Sequence, residues 1–306
     1  MKKVVVTGAN GFIGSYTLSL LVENGYEVHA ISSKNFKKKN TNQILWHQSN
    51  LFNKSDVEKL FKKIQPSHLL HLAWYTEHGK FWDSELNLSW IQSSIDIFKS
   101  FKNNGGKRIV SSGTCAEYSW GSKDIFTENS EIKPTSLYGI SKNCTHELLS
   151  YFSEINNISY SWGRVFFLYG PGESDSRIIP FIIKKLLNNE DALCSHGNQI
   201  RDFMYVSDVA SAFVRILESK ISGPVNISTG HPKSIKDICK DIKNVIESKG
   251  KIIFGAIESP KDEPISILGN NDRLSNELNW YPSMSTNEGL KSLIEFHIKN
   301  SSKENK

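Results

Sequence analysis

Tyr138 and Lys142, in "YGISK", stand one helical turn apart and so share a face of any helix that carries them. A phenol is a weak acid–base group at neutral pH, its ordinary pKa being about 10. An ammonium one turn away favours the phenolate and makes the phenol a usable proton carrier. Such a pair recurs by chance, so its meaning depends on what precedes it. Upstream, "KRIV" (107–110) runs into "SSGTCAEYSW" (111–120), where Thr114, Cys115 and Glu117 are each chemically capable. Any of them could serve as nucleophile, base or turn residue.

The second feature is "VVVTGANGFIG", with Gly8, Gly11 and Gly14 between a β-branched run and an amphipathic stretch. In a strand–turn–helix context, the first glycine allows the tight turn and the second lets backbone approach a pyrophosphate. The third lets helix pack closely on sheet, and the helix N-terminus then faces the anion. A dinucleotide site follows, with Asn10, Phe12 and Ile13 in the same loop. Sites for NAD usually offer Asp or Glu to the ribose about twenty residues further on. This chain offers Ser32, Ser33 and Lys34, then Lys37, Lys38 and Lys39. Hydroxyls and an ammonium accept a 2′-phosphate that an acid would repel, so NADP(H) is expected ahead of NAD(H). The lysines also suit a solvated loop. Asn50 and Leu51 are placed to flank adenine, and Leu72 and Ala73, closing the fourth strand, to border the cofactor.

The elements that must position these groups alternate. Strands are predicted at 2–8, 27–32, 44–48, 68–73, 107–112 and 160–168, with helices at 13–24, 54–64, 84–102 and 138–155. Ser55 with Glu58 three residues on suggests a capping box at the second helix, and Gly105–Gly106 should end the third. Alternation of this kind implies a parallel sheet covered on both faces. Beyond about 170 the pattern loosens: helices are predicted at 177–189, 206–219, 234–248 and 286–299, with "GPVNIS" (223–228) returning to the sheet. The expected architecture is α/β, a doubly wound Rossmann-type parallel sheet with a smaller C-terminal α/β substrate domain. Residues 1–170, with 205–230 returning, form the first unit, and 171–306 mainly the second.

Composition bounds the function. A formal charge of +5 permits attraction of phosphorylated small molecules but falls short of a nucleic-acid signature. Cys115, Cys144, Cys194 and Cys239 are scattered, without a CxxC, as expected of reduced thiols in the cytoplasm, and no metal set is apparent. No run of about 18 apolar residues suggests a membrane span. The apolar run after Lys2–Lys3 stops at Thr7–Gly8, so no leader is expected.

Taken together, "TGANGFIG", "YGISK", "RVFFLYGPG", "RDFMYVSDVA" and the closing "LNWYPSMSTNEGL" resemble the extended short-chain dehydrogenase/reductases that act on nucleotide sugars. The resemblance covers nearly the whole chain. It implies a triad whose Ser or Thr lies four residues before an aromatic, which is Thr114 counted from Tyr118. Thr114 would orient the carbonyl or hydroxyl, Tyr138 transfer the proton, and Lys142 bind nicotinamide ribose while lowering the tyrosine pKa. Asn87 matches a supporting asparagine.

The neighbours of Thr114 separate the reactions within that family. The 4,6-dehydratases place Asp and Glu directly after the threonine; here Cys115 and Ala116 follow. The epimerase–reductases that make GDP-fucose carry a Cys two residues after the serine and a His three before the "IP" proline. The matching positions are Ala116 and Arg177. Cys115 is then a packing residue and Glu117 a hydrogen-bonding residue of the loop. What remains is hydride chemistry at one sugar carbon. An NADPH-dependent 4-ketoreductase is favoured over a 4-epimerase with tightly held NAD, and a dehydrogenase comes third. A non-catalytic cofactor-sensing protein is the alternative from another class, which intact Thr114, Tyr138 and Lys142 disfavour.

By the same resemblance Arg201 would grip the nucleotide diphosphate, with Arg177 a second candidate. Two departures stand out: Phe167 where the family often has Asn, and no late arginine in "ESPKDEP", where Lys261 could substitute. Trp74, Tyr75 and His78, in "AWYTEHGKFW", follow the fourth strand at its carboxyl end, where open sheets bind ligands. They are candidates for the sugar pocket. A homodimer paired through the long helices, one bearing Tyr138, is implied by resemblance.

Overall fold

The computed structural model describes residues 2–33, 40–121, 125–259 and 263–304. A seven-stranded sheet forms the centre, in the order β12-β7-β5-β4-β1-β2-β3. Its strands are β1 (Lys2–Thr7), β2 (Tyr26–Ser32), β3 (Ile44–Gln48), β4 (His68–His71), β5 (Arg108–Thr114), β7 (Ser159–Val165) and β12 (Gly223–Ile227). Every neighbouring pair is parallel. The order reverses between β1 and β4, the crevice where open α/β sheets bind ligands.

Both faces are covered, which is why the strands are apolar on both sides. On one face α1 (Phe12–Glu23) packs against α6 (Val206–Glu218), burying Leu18, Leu21, Val209, Phe213 and Leu217. On the other lie α2 (Lys54–Ile64), α3 (Leu86–Asn103) and α4 (Leu137–Ile155), with Val57, Phe61, Ile97, Phe101 and Leu149 inside. A separate core gathers α5 (Ile178–Leu187), β9 (Ala192–Cys194), α7 (Ile235–Val245) and α8 (Thr286–Glu304) around Ile182, Ile183, Ile238, Ile242 and Leu293.

Two expectations are corrected. The strand predicted over 160–168 divides: β7 stays in the main sheet, while β8 (Phe167–Tyr169) leaves it to pair with β11 (Phe203–Tyr205). The cap of α2 is Asn53, not Ser55. Its side-chain oxygen accepts from Ser55 N (3.0 Å) and Asp56 N (3.3 Å), so the helix begins at Lys54, and Glu58 faces Lys54 instead. Asn reaches these amides as well as Ser does, and it stands earlier in the chain. The return of 223–228 to the sheet is observed, as β12 beside β7. Gly105 (φ +82°) and Gly106 close α3, Gly106 N bonding Phe101 O at 3.0 Å.

Candidate active site

At the crevice between β1 and β4 the glycine loop leaves no room for side chains. Gly8 has φ +67°, and a Cβ there would lie 2.9 Å from Ala73 N and 3.0 Å from the Leu72 carbonyl carbon. A Cβ on Gly14 would collide with the Gly8 carbonyl oxygen, and one on Gly11 would sit 3.0 Å from the same atom. Gly11 caps α1 without a side-chain bond, and the first turn carries no acidic residue. The result is an α-helix of 12 residues whose first N–H groups open on a cradle lined by glycine backbone. The cradle fits a dinucleotide pyrophosphate.

Thr114 ends β5 and caps a short 3₁₀ turn, Cys115–Glu117. The turn is locked reciprocally: Thr114 Oγ1 accepts from Ala116 N (3.2 Å) and the Glu117 carboxylate accepts from Thr114 N (2.8 Å). Glu117 is in turn held by Trp162 Nε1 (2.9 Å) and Arg164 Nε (2.7 Å), all three buried. The Tyr118 hydroxyl donates to Asn226 Oδ1 at 2.6 Å, tying the turn to β12. Glu117 thus carries the loop-bonding role expected of it. Cys115 is buried among Tyr118, Phe126 and Phe166, where burial pushes its thiol up to about 12, in keeping with packing.

Tyr138 opens α4 behind Ser136, whose hydroxyl caps Gly139 N at 3.1 Å. A Cβ on Gly139 would meet Ala116 O at 2.5 Å, so the glycine lets this helix start settle on the 3₁₀ turn. The Thr114 hydroxyl stands near enough to the phenol to act on its titration. The Tyr138 backbone N–H donates to Trp82 O at 2.8 Å, and the rings of Phe81 and Trp82 stand edge-on to the phenol. Burial raises the phenol above the usual tyrosine range, while the nearby Thr114 hydroxyl and the Arg177 charge act the other way.

Lys142 lies one turn further on, 3% exposed, and burial brings its ammonium down to about 7. Nζ donates to Ser112 O at 2.7 Å and approaches Ser112 Oγ at 3.4 Å, while the Trp74 ring centroid lies 4.0 Å away. Asn87 supports this group at one remove. It is fully buried, gives its amide hydrogens to Phe81 O and Ser84 O, and accepts from Trp74 Nε1 at 2.8 Å.

The remaining candidates divide. Arg177 caps α5 with its guanidinium 5.7 Å from the Phe81 ring, close enough to influence both Tyr138 and His78. Tyr75 packs on the aromatic group around Tyr138 and bonds Glu77 at 3.0 Å; His78 is exposed. Arg201 lies near Cys115 but is engaged by Glu263 (3.0 Å) and by the Ile200 and Ile265 carbonyls. Phe167 carries the Arg201 guanidinium over its ring at 5.3 Å. β2 ends at Ser32, with Ser33 exposed beyond it; Lys34, Lys37, Lys38, Lys39 and Lys261 lie outside the described residues. Asn50 spends its amide oxygen on Phe52 N (3.1 Å), and Leu51 is buried, its carbonyl held by Ser93.

Ser112, Trp162 and Arg164 were not legible as site residues. The Thr-x-x-Glu spacing from Thr114 to Glu117 is a capping-box signature and is the one available signal for the locked turn. Among the described residues no group of three His, Cys, Asp or Glu is arranged to hold a metal. No helix among them is long and apolar enough to cross a membrane.

A doubly covered parallel sheet with a glycine cradle at its switch point defines the fold class, and comparison with known proteins agrees. The chain belongs to the NAD dependent epimerase/dehydratase family, which it matches over residues 4–228. It is 29% identical to CDP-abequose synthase of Salmonella typhimurium, over 95% of this chain and 97% of that one. Among solved structures it resembles UDP-N-acetylglucosamine 4-epimerase from Methanobrevibacter ruminantium, in complex with UDP-N-acetylmuramic acid. The TM-score there is 0.88 at 26% identity, covering 98% of this chain and 99% of that one. UDP-glucose 4-epimerase of Thermotoga maritima shares the fold, with a TM-score of 0.83 at 23% identity.

Proposed function

We propose that this protein is a cytoplasmic, NADP(H)-dependent oxidoreductase that reduces a 4-keto, 6-deoxy nucleotide sugar to the alcohol. What supports the reading is that Thr114 acts on the buried Tyr138 phenol, that Lys142 follows one turn along the same helix, and that a glycine cradle opens at the end of β1. When bound, a nicotinamide cofactor supplies the hydride. Thr114 then holds the sugar carbonyl oxygen by its hydroxyl, and Tyr138 delivers the proton to that oxygen as charge develops there. Lys142 offers its ammonium to the nicotinamide ribose and favours the phenolate that Tyr138 becomes. The aromatic walls from Phe81, Trp82 and Trp120 exclude water from the phenol.

NADP(H) is favoured because β2 ends at Ser32 and Ser33 follows it, without an acid to repel a 2′-phosphate. The core formed by α5, α7 and α8 serves as the substrate domain, with Arg177 and Arg201 facing the diphosphate; Arg201 would exchange Glu263 for phosphate. The reading of a homodimer is supported by the exposed apolar side chains Ile140, Leu148, Tyr151 and Ile155 along α4, with Leu88 on α3.

The family also supports a second reading, a 4-epimerase, since a structural relative carries that activity in its name. Incubation with NADPH and a panel of 4-keto-6-deoxy nucleotide sugars separates the two. Loss of the nicotinamide absorbance with stoichiometric alcohol is expected. NAD that co-purifies, survives dialysis and supports 4-epimer formation without net absorbance change would replace the reductase by the epimerase.

A further inference from the structure

Lys142 presents an electrostatic problem that its hydrogen bonds do not solve. It is a buried ammonium, and among the described residues no carboxylate bonds it: the acceptors of Nζ are the carbonyl and hydroxyl of Ser112. An ammonium has three donors and a strong need for negative potential, which neutral oxygens on one side meet only in part. Of the groups facing it from neighbouring elements, Glu117 favours the charge from the 3₁₀ turn but is shared with Arg164. His71, on β4, is held neutral by burial. The Trp162 ring is 5.8 Å from Nζ and the Trp74 ring 4.0 Å.

Trp74 is held at that distance by contacts that fix its orientation. Its Nε1 donates to Asn87 Oδ1 at 2.8 Å, and its ring stacks on Trp90 at 6.0 Å and 24°. Both Asn87 amide hydrogens are consumed by the carbonyls of Phe81 and Ser84, which determines which end of the amide meets the indole. An Asn–Trp–Lys chain therefore runs from α3 to α4 through the segment after β4.

We propose that Trp74 is a positioning residue for Lys142, its indole face holding the ammonium against β5 at the angle that Asn87 sets. Tryptophan has the most negative ring face of the aromatic side chains, and a desolvated ammonium gains most from it. The contact favours the charged form of Lys142, which burial works against, so the cofactor ribose meets an ammonium. The inference rests on the cofactor-binding role given to Lys142 above.

Fluorinated tryptophans placed at position 74 supply the test, since they keep the shape of the ring while weakening its negative face. The Lys142 titration is followed by NMR of protein carrying ¹³C-labelled lysine, with the resonance assigned through Lys142→Arg. The Lys142 midpoint should step downward with each added fluorine, by about one pH unit in all. Trp74→Phe should show a smaller fall and Trp74→Leu the full one. An unmoved midpoint across the fluorinated series overturns the proposal. The titration needs no substrate, so a failure to find turnover would count against the oxidoreductase reading and leave this result standing.

Discussion

The Glu117 carboxylate and the Arg164 guanidinium meet at 2.7 Å, with neither side chain more than 2% exposed. The pair lies directly behind Thr114, whose N–H bonds the same carboxylate. Removing the acid leaves a buried guanidinium unpaired, and breaking such a pair costs about 3–5 kcal/mol. Glu117→Ala should therefore lower stability by that order, measured by urea unfolding. Glu117→Gln keeps the shape and should lose less. In both variants kcat should fall with the order of the Thr114 turn.

Tyr138 is the proposed proton donor, and Phe removes only its hydroxyl. Tyr138→Phe should reduce kcat by about 10²–10⁴-fold, with cofactor affinity nearly unchanged when followed by fluorescence titration. Lys142→Met should instead weaken cofactor binding along with kcat. Equal turnover by the Phe variant and the parent would remove Tyr138 from the chemistry.

Acid should unfold this protein through its buried and half-buried histidines. His71 accepts at Nδ1 from Thr7 Oγ1 (2.7 Å) and donates from Nε2 to Ser94 Oγ (3.0 Å), because the Ser94 hydrogen is given to Trp90 O. Burial, and secondarily the Lys142 charge, pulls His71 down to about 3; burial first also takes His146 to about 3 and His47 and His68 to about 4. Each folded value lies below the ordinary 6.5, so the unfolded chain binds more protons in between. The stability from neutral histidine is full above pH 6.5 and is lost as pH falls from there toward 3. Thermal unfolding between pH 7.5 and 4.5 should show Tm falling steadily. A Tm independent of pH across that window would contradict these environments.

The exposed side chains on α4 test the dimer. Tyr151 is 67% exposed and Ile155 61%, so a charge at either should leave the fold intact. Tyr151→Asp should convert the protein to a monomer in light scattering, with Tm lowered only to the extent that association stabilises it.

Much of the fold was readable in the chain because alternation and glycine placement are local signals. The β-branched runs, the intervening helices and Gly8, Gly11 and Gly14 each report on backbone within a few residues. Tyr138 and Lys142 were readable as a pair for the same reason, since one helical turn separates them. Local pattern could not say that Asn53 rather than Ser55 caps α2, because both side chains are competent there. Nor could it divide 160–168, whose last residues leave the sheet for β11, with Phe167 pairing with Phe203, 36 residues further on.

Sequence by itself thus determined the cradle, the order of elements and the one-turn spacing of Tyr138 and Lys142, all consequences of short-range geometry. Tertiary structure alone decided what surrounds them. The Ser112 carbonyl beneath Lys142, the Trp74 face beside it and the Arg164 partner of Glu117 come from strands and loops distant in the chain. Burial makes those neighbours matter: once water is excluded, whichever groups the packing brings within a few ångströms set the charge and proton affinity of each side chain.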